Sequence, residues 1–169
     1  MGDFHAQNLT NSAWAFATLG QSNVKLFAAL GRAATWRVGD FNVQGLANTA
    51  LAFATASSSD AQVFSALARA AELRLGDFKV QDLANTAWAF ATASQQDAQL
   101  FAALARAAEL RLGDFDVQNL ANTAWAFATA SQQDAQLFAA LARAAELRLG
   151  DFNMQDLANT AWAFVTASQ

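Results

Sequence analysis

The dipeptide Asp-Phe recurs every 37 residues along the whole chain. A period between about 20 and 50 residues is typical of stacked repeats, in which each unit covers the apolar side of the next. The chain of 169 residues is therefore predicted to be a single repeat array. Its predicted units are 3–39, 40–76, 77–113, 114–150 and the half unit 151–169.

Each unit reads as two helices joined by a short linker. In the third unit, apolar residues recur at helical spacing over about 79–94 and again over about 97–112. Asp97 is a predicted N-cap of the second helix and Gly113 its predicted C′ stop. The linker Ser94-Gln95-Gln96 is short enough to make the two helices antiparallel neighbours. The predicted fold class is all-α, an α-solenoid of tandem αα-hairpins with four full repeats and one half repeat.

The block from Phe78 to Ala91, FKVQDLANTAWAFA, resembles the octotricopeptide and heptatricopeptide repeat families. The 37-residue period is most similar to the heptatricopeptide kind, and the resemblance covers nearly the whole chain. It implies an αα-hairpin solenoid that binds RNA in organellar gene expression, which would place the protein in a mitochondrion or plastid. No targeting segment is visible, because Met1-Gly2 leads directly into the first unit.

The third and sixth positions of each unit vary and are the only differences between the third and fourth units. Three residues apart, they share one side of the first helix near its N-terminus. One interpretation is a recognition pair for a base or a partner side chain. The other, which we favour, is helix capping or neutral drift, because Asn, Asp and His suit an N-cap and Asp suits N3. The ten positions are His5, Asn8, Asn42, Gly45, Lys79, Asp82, Asp116, Asn119, Asn153 and Asp156.

A glutamine and an asparagine four residues later recur in every first helix, as in Gln81 and Asn85. Since buried amides must be hydrogen-bonded, we expect a ladder of amides bonded to the backbone of neighbouring hairpins. Binding of a ligand through exposed asparagines is the less favoured alternative. The tryptophans, as in Trp88, are predicted to pack in the core rather than to serve as ligand platforms.

Arginines recur in pairs on the second helices and would form two basic ladders in a stack. The candidate phosphate ligands are Arg69, Arg74, Arg106, Arg111, Arg143 and Arg148. The default interpretation is instead a self-neutralised surface. In it, the first arginine pairs with the glutamate three residues later, as Arg69 with Glu72, and the second with the following aspartate, as Arg74 with Asp77.

Composition argues against catalysis and against a membrane span. The chain has one histidine, His5, and no cysteine, so no metal site, cofactor site or nucleophile–base pair is predicted. Its uncharged stretches carry too many Asn, Gln, Ser and Thr residues for a membrane span. We therefore expect a non-catalytic binding protein.

Two partners remain open. The resemblance favours single-stranded RNA, whereas the net charge of −4 and the near-identical third and fourth units favour a protein scaffold within a larger assembly. The sequence ends just after a first helix, which would leave Leu157, Trp162, Phe164 and Val165 without cover. We expect a longer array, a docking partner or self-association at the ends.

Overall fold

A computed structural model describes residues 5–21 and 23–168. These residues form helices and no strand, so the predicted all-α class is confirmed. The α-helices within the described ranges are α1 (Ala6–Thr18), α2 (Val24–Trp36), α3 (Val43–Thr55), α4 (Ala61–Glu72), α5 (Val80–Thr92), α6 (Ala98–Glu109), α7 (Val117–Thr129), α8 (Ala135–Glu146) and α9 (Met154–Ala167).

The helices form two rows. The odd-numbered helices pack extensively against one another in the order α1, α3, α5, α7, α9, and the even-numbered helices pack more sparsely beside them. This arrangement is consistent with an α-solenoid. The period of 37, the repeat count and the unit boundaries stay predictions, and the first Asp-Phe pair, Asp3-Phe4, lies outside the described residues.

Small residues let the odd-numbered helices approach closely. On α5, Ala84 and Ala87 are fully buried on the side toward α7, and Ala89 is fully buried on the side toward α3. The corresponding Ala158 and Ala161 of α9 are exposed, because no helix follows α9 in the described part of the chain. Alanine carries only a methyl group, so the helices of this row can pack closely against one another.

Phenylalanines join the two rows into one core. Phe64 of α4 packs edge-on against Phe90 of α5, with ring centroids 5.0 Å apart and an interplanar angle of 88°. The same T-shaped contact joins Phe101 to Phe127 at 5.1 Å. Each pair links a second helix to the first helix of the following hairpin, and such edge-to-face pairs stabilise beyond the area they bury.

The predicted start of the second helix is confirmed, and its predicted end is wrong. Asp97 Oδ1 accepts a hydrogen bond from the Leu100 amide at 3.0 Å, as an N-cap does. However, α6 ends at Glu109, and Gly113 lies inside a short 3₁₀ turn, Leu112–Asp114. The apolar spacing continues through Leu112 because this turn also packs its leucine against the core. Periodicity alone could not distinguish the two kinds of turn.

The second arginine of each pair ties the end of a hairpin to its beginning. Arg74 Nη1 donates to the Phe41 carbonyl at 2.8 Å, and Arg111 Nη1 donates to the Phe78 carbonyl at 2.6 Å. Arg148 makes the same bond to Phe115. These carbonyls, rather than the aspartates that we expected, are the hydrogen-bond partners of these guanidinium groups.

The two end helices are partly uncovered. On α9, Leu157 and Phe164 are half-buried and Trp162 and Val165 are exposed. On α1, Phe16 is 38% exposed, whereas its counterpart Phe90 on α5 is 1% exposed. The expectation that the ends dock on another surface stays a prediction.

Replacing Phe90 by alanine should lower the free energy of unfolding by about 3–5 kcal/mol, because it leaves a cavity between α4 and α5. Phe16→Ala is the matched control at the corresponding position of α1 and should cost about 1 kcal/mol, since that ring is partly exposed. Urea unfolding followed by circular dichroism measures both. Equal losses would contradict the packing described here.

Candidate functional site

Each odd-numbered helix exposes one polar side that its neighbours do not cover. On α5 this side carries Gln81, Asn85, Trp88 and Thr92, spaced so that they lie in a line along the helix. Gln81 and Thr92 are exposed, and Asn85 and Trp88 are half-buried. We call the continuous surface made by these positions on all five helices the amide–tryptophan face. Its other amide and aromatic or leucine positions are Gln7, Asn11, Trp14, Gln44, Asn48, Leu51, Gln118, Asn122, Trp125, Gln155, Asn159 and Trp162.

The tryptophans of this face stack on one another. The rings of Trp88 and Trp125 have centroids 6.3 Å apart at an interplanar angle of 29°, and Trp125 and Trp162 are 6.5 Å apart at 34°. Trp162 is 47% exposed. Trp88 and Trp125 are half-buried and pack against the core, whereas Trp14 and Trp162 are exposed, so the prediction that the tryptophans lie in the core holds only in part. The core side of each helix is filled by alanine and phenylalanine, which leaves the indoles at its edge.

The amides of this face do not form the predicted ladder. Within the described part of the chain, the hydrogen bonds made by side chains do not involve Gln81, Asn85 or their counterparts on α7. The glutamines are exposed and the asparagines half-buried, while alanine and threonine are buried between the helices. The amide groups are thus free to bind a ligand, which was the less favoured alternative.

The variable third position is the N-cap of each odd-numbered helix. Asn42, Asp116 and Asn153 each accept a hydrogen bond from the backbone amide three residues later, at 2.7, 2.7 and 2.8 Å. Lys79 cannot accept a hydrogen bond, since an ammonium group has no acceptor. His5 is exposed and makes no cap bond with its side chain.

The variable sixth position faces the preceding odd-numbered helix. Asp82, Asn119 and Asp156 are buried, with 6–7% of each residue exposed. Asp82 Oδ2 accepts a hydrogen bond from the Lys79 amide at 3.2 Å, which is the half of a capping box that does not need the Lys79 side chain. Asn8 on α1 is exposed. The third and sixth positions therefore do not form an exposed pair on α5, α7 and α9, and their predicted role in recognition stays a prediction.

The remaining candidate arginines lie on the second helices. Arg69 donates from Nε to the Ser65 carbonyl at 3.2 Å and from Nη2 to the Ser65 hydroxyl at 3.2 Å, and Glu72 accepts from Gln99 Nε2 at 2.6 Å. The expected pairing of Arg69 with Glu72 is thus replaced by these bonds. Arg106 and Arg143 are exposed.

Within the described ranges, no three His, Cys, Asp or Glu side chains gather closely enough to hold a metal ion. Every helix described is too short or too polar to cross a bilayer. The side chains of the amide–tryptophan face can donate and accept hydrogen bonds through amides and can stack through indoles. They carry no charge.

Residues 2–167 match the model of the family described as RNA-editing substrate-binding complex 6 protein, or RESC6. The chain belongs to the RESC6 family. This is an RNA-related family, but it is not specifically the octotricopeptide or heptatricopeptide family that the sequence block resembles. No curated protein matches the chain.

Asp116→Ala should lower the free energy of unfolding by about 0.5–2 kcal/mol, because it removes the N-cap of α7. Lys79→Ala is the control at the same position of α5 and should change stability by less than about 0.5 kcal/mol, since lysine makes no cap bond. Chemical unfolding of both variants tests this difference. A larger loss for Lys79→Ala would contradict the capping role of the third position.

Proposed function

We propose that this RESC6-family chain is a non-catalytic RNA-binding component of an RNA-editing complex and holds single-stranded RNA along the amide–tryptophan face. The observation that carries the proposal is a row of part-exposed neighbouring indoles, Trp88, Trp125 and Trp162. They lie beside amides that make no side-chain hydrogen bond within the described part of the chain. The family, described as an RNA-editing substrate-binding complex protein, supports the same class of partner.

Stacking and amide hydrogen bonds suit unpaired bases. Every base has a π-face that can stack on an aromatic side chain, and each such contact contributes about 1–3 kcal/mol. Asparagine and glutamine offer both donors and acceptors, which match the edges of bases that are not engaged in a duplex. A double helix hides both features, so the face favours single strands.

The neutrality of the face determines how it would bind. The face itself carries no Lys or Arg, and the whole chain has a net charge of −4. Few counterions would be released on binding, so the affinity should depend weakly on salt. We propose that the chain contributes base contacts within a complex, while other subunits supply cationic contacts to the phosphates.

A second candidate function is that of a protein scaffold, which a different surface favours. At the ends of the even-numbered helices lies a row of apolar side chains that are 84–86% exposed. It consists of Trp36, Leu73, Leu110 and Leu147. A row of this kind fits a protein partner better than RNA. The two functions are compatible in one subunit, because the row and the amide–tryptophan face are built on different helices.

Trp125→Leu should weaken RNA binding by about 5- to 100-fold, because it removes the central indole of the row. The structure already contains leucine at this position in α3, Leu51, so the variant should fold. The reverse change, Leu51→Trp, should extend the row and tighten binding. Fluorescence anisotropy with labelled random-sequence RNA dodecamers at several salt concentrations measures both.

Leu110→Ala, in the apolar row at the ends of the even-numbered helices, is the matched control and should leave RNA affinity unchanged. Absence of RNA binding by the unchanged protein at low salt would overturn the proposed function. Equal affinity of Trp125→Leu and the unchanged protein would show that RNA binds elsewhere.

A further inference from the structure

A cavity lies at one step of the odd-numbered row, where a step means the contact between two successive odd-numbered helices. The N-terminal ends of α1 and α3 enclose a space of about 470 Å³ on the amide–tryptophan face. Gln7 and Asn11 line it from α1, and Gln44 and Asn48 line it from α3. Its volume lies within the range of small-molecule sites, about 300–1,000 Å³.

The cavity exists where a buried side chain is missing. Gly45 occupies the sixth position of its unit, which on α5, α7 and α9 holds Asp82, Asn119 and Asp156, each buried against the preceding odd-numbered helix. The backbone is the same in both cases. Asn42 Oδ1 accepts from the Gly45 amide at 2.7 Å, as Asp116 Oδ1 accepts from the Asn119 amide at 2.7 Å. The steps therefore differ at Gly45 and also in α1 residues that line the cavity, since Ala6 and Thr10 stand where α5 carries Val80 and Ala84.

We propose that this space, the Gly45 cavity, is a nucleotide subsite that takes one base of a bound single strand between α1 and α3. The inference rests on the proposed function and adds to it the position at which one base is held more closely than the rest.

The lining fits a base and its adjoining phosphate. Amides approach from both helices, so a base edge entering the cavity meets donors and acceptors on each side. Arg37 lies at the rim with its guanidinium carbon 5.8 Å from the centre of the Trp36 ring, and its planar fork suits a phosphate. Asp40 also lines the cavity, and its carboxylate can accept from an exocyclic amine or a ribose hydroxyl.

A partner protein's side chain is the competing occupant, and two observations favour the base. The cavity opens onto the same line of amides that runs toward the stacked tryptophans, so a strand following that face passes over it. Five of the twelve lining residues carry amides, four more are charged or polar, and the other three are Ala6, Phe41 and Gly45. An anchor for a partner's side chain is usually a pocket lined by apolar groups.

Gly45→Asn should fill the cavity with the residue that α7 carries and lower affinity for a fluorescein-labelled random RNA dodecamer by about tenfold. A Cβ at Gly45 would lie 3.1 Å from Asn42 Oδ1 and 3.2 Å from Phe41 Cδ1, so both side chains must shift by a few tenths of an ångström. Asparagine occupies the same position of α7 beside an equivalent cap, so we expect the fold to be kept. Adding Asn119→Gly to this variant opens the corresponding step between α5 and α7, where the lining amides are the same. It should restore at least part of the lost affinity.

Gln7→Met provides a second variant that leaves the buried packing untouched, because Gln7 is exposed. It should lower affinity by about threefold, whereas Gln155→Met, at the same position of α9, should change it less. Thermal unfolding by circular dichroism shows that each variant is folded.

The possible outcomes separate the two proposals. If the unchanged protein binds RNA and both Gly45→Asn and Gln7→Met bind equally well, the subsite is overturned and the proposed function stands. If no RNA binds at low salt, both are overturned. If Gly45→Asn loses a protein partner in a reconstituted complex but not RNA, the occupant is a side chain and the subsite is overturned.

Discussion

The close contact between odd-numbered helices is the constraint from which the rest of the molecule follows. Ala84 and Ala87 face the next odd-numbered helix and Ala89 faces the previous one. Close helix–helix packing therefore buries two sides of each inner helix of this row. A third side receives the phenylalanine contacts to the second row. The side left facing solvent is one line of residues along each of these helices. Any large residue on that line, such as Trp88, is placed beside its counterparts on neighbouring helices, so a row of stacked indoles results from the packing.

Much of the fold was predictable from the sequence, since helix starts carry chemistry that is specific to them. Asp97 was recognisable as an N-cap because a short acceptor side chain precedes an apolar stripe. The end of α6 was not recognisable, because its apolar stripe continues through the 3₁₀ turn Leu112–Asp114 with the same residue types. The bond from Arg111 to the Phe78 carbonyl joins residues 33 apart and depends on how the hairpin closes. A local pairing rule therefore favoured the wrong partner.

The amide–tryptophan face was harder to predict, because its residue types occur both in protein cores and on protein surfaces. Tryptophan at helical spacing usually marks a core, and Gln81 and Asn85 can equally bridge two helices or face water. The deciding information is how closely the helices approach, which the alanines set. A usable signal was present. Gln81, Asn85, Trp88 and Thr92 are spaced four, three and four apart, which places them on one line, whereas the alanines lie on the other sides. Reading this line as one surface would have separated the indoles from the core.

A row of identical helix–helix steps can bind a single RNA strand, but it binds every register of that strand equally well. The residues that break the regularity therefore carry the positional information. On α3, Leu51 interrupts the indole row and Gly45 opens a cavity, and both changes lie on the same helix. Leu51, which lacks an indole, and the Gly45 cavity therefore lie close together on one face. A strand that stacks along α5, α7 and α9 would then be anchored at α3 by insertion. In this proposal, a face without Lys or Arg gains a defined register from the cavity that adjoins it.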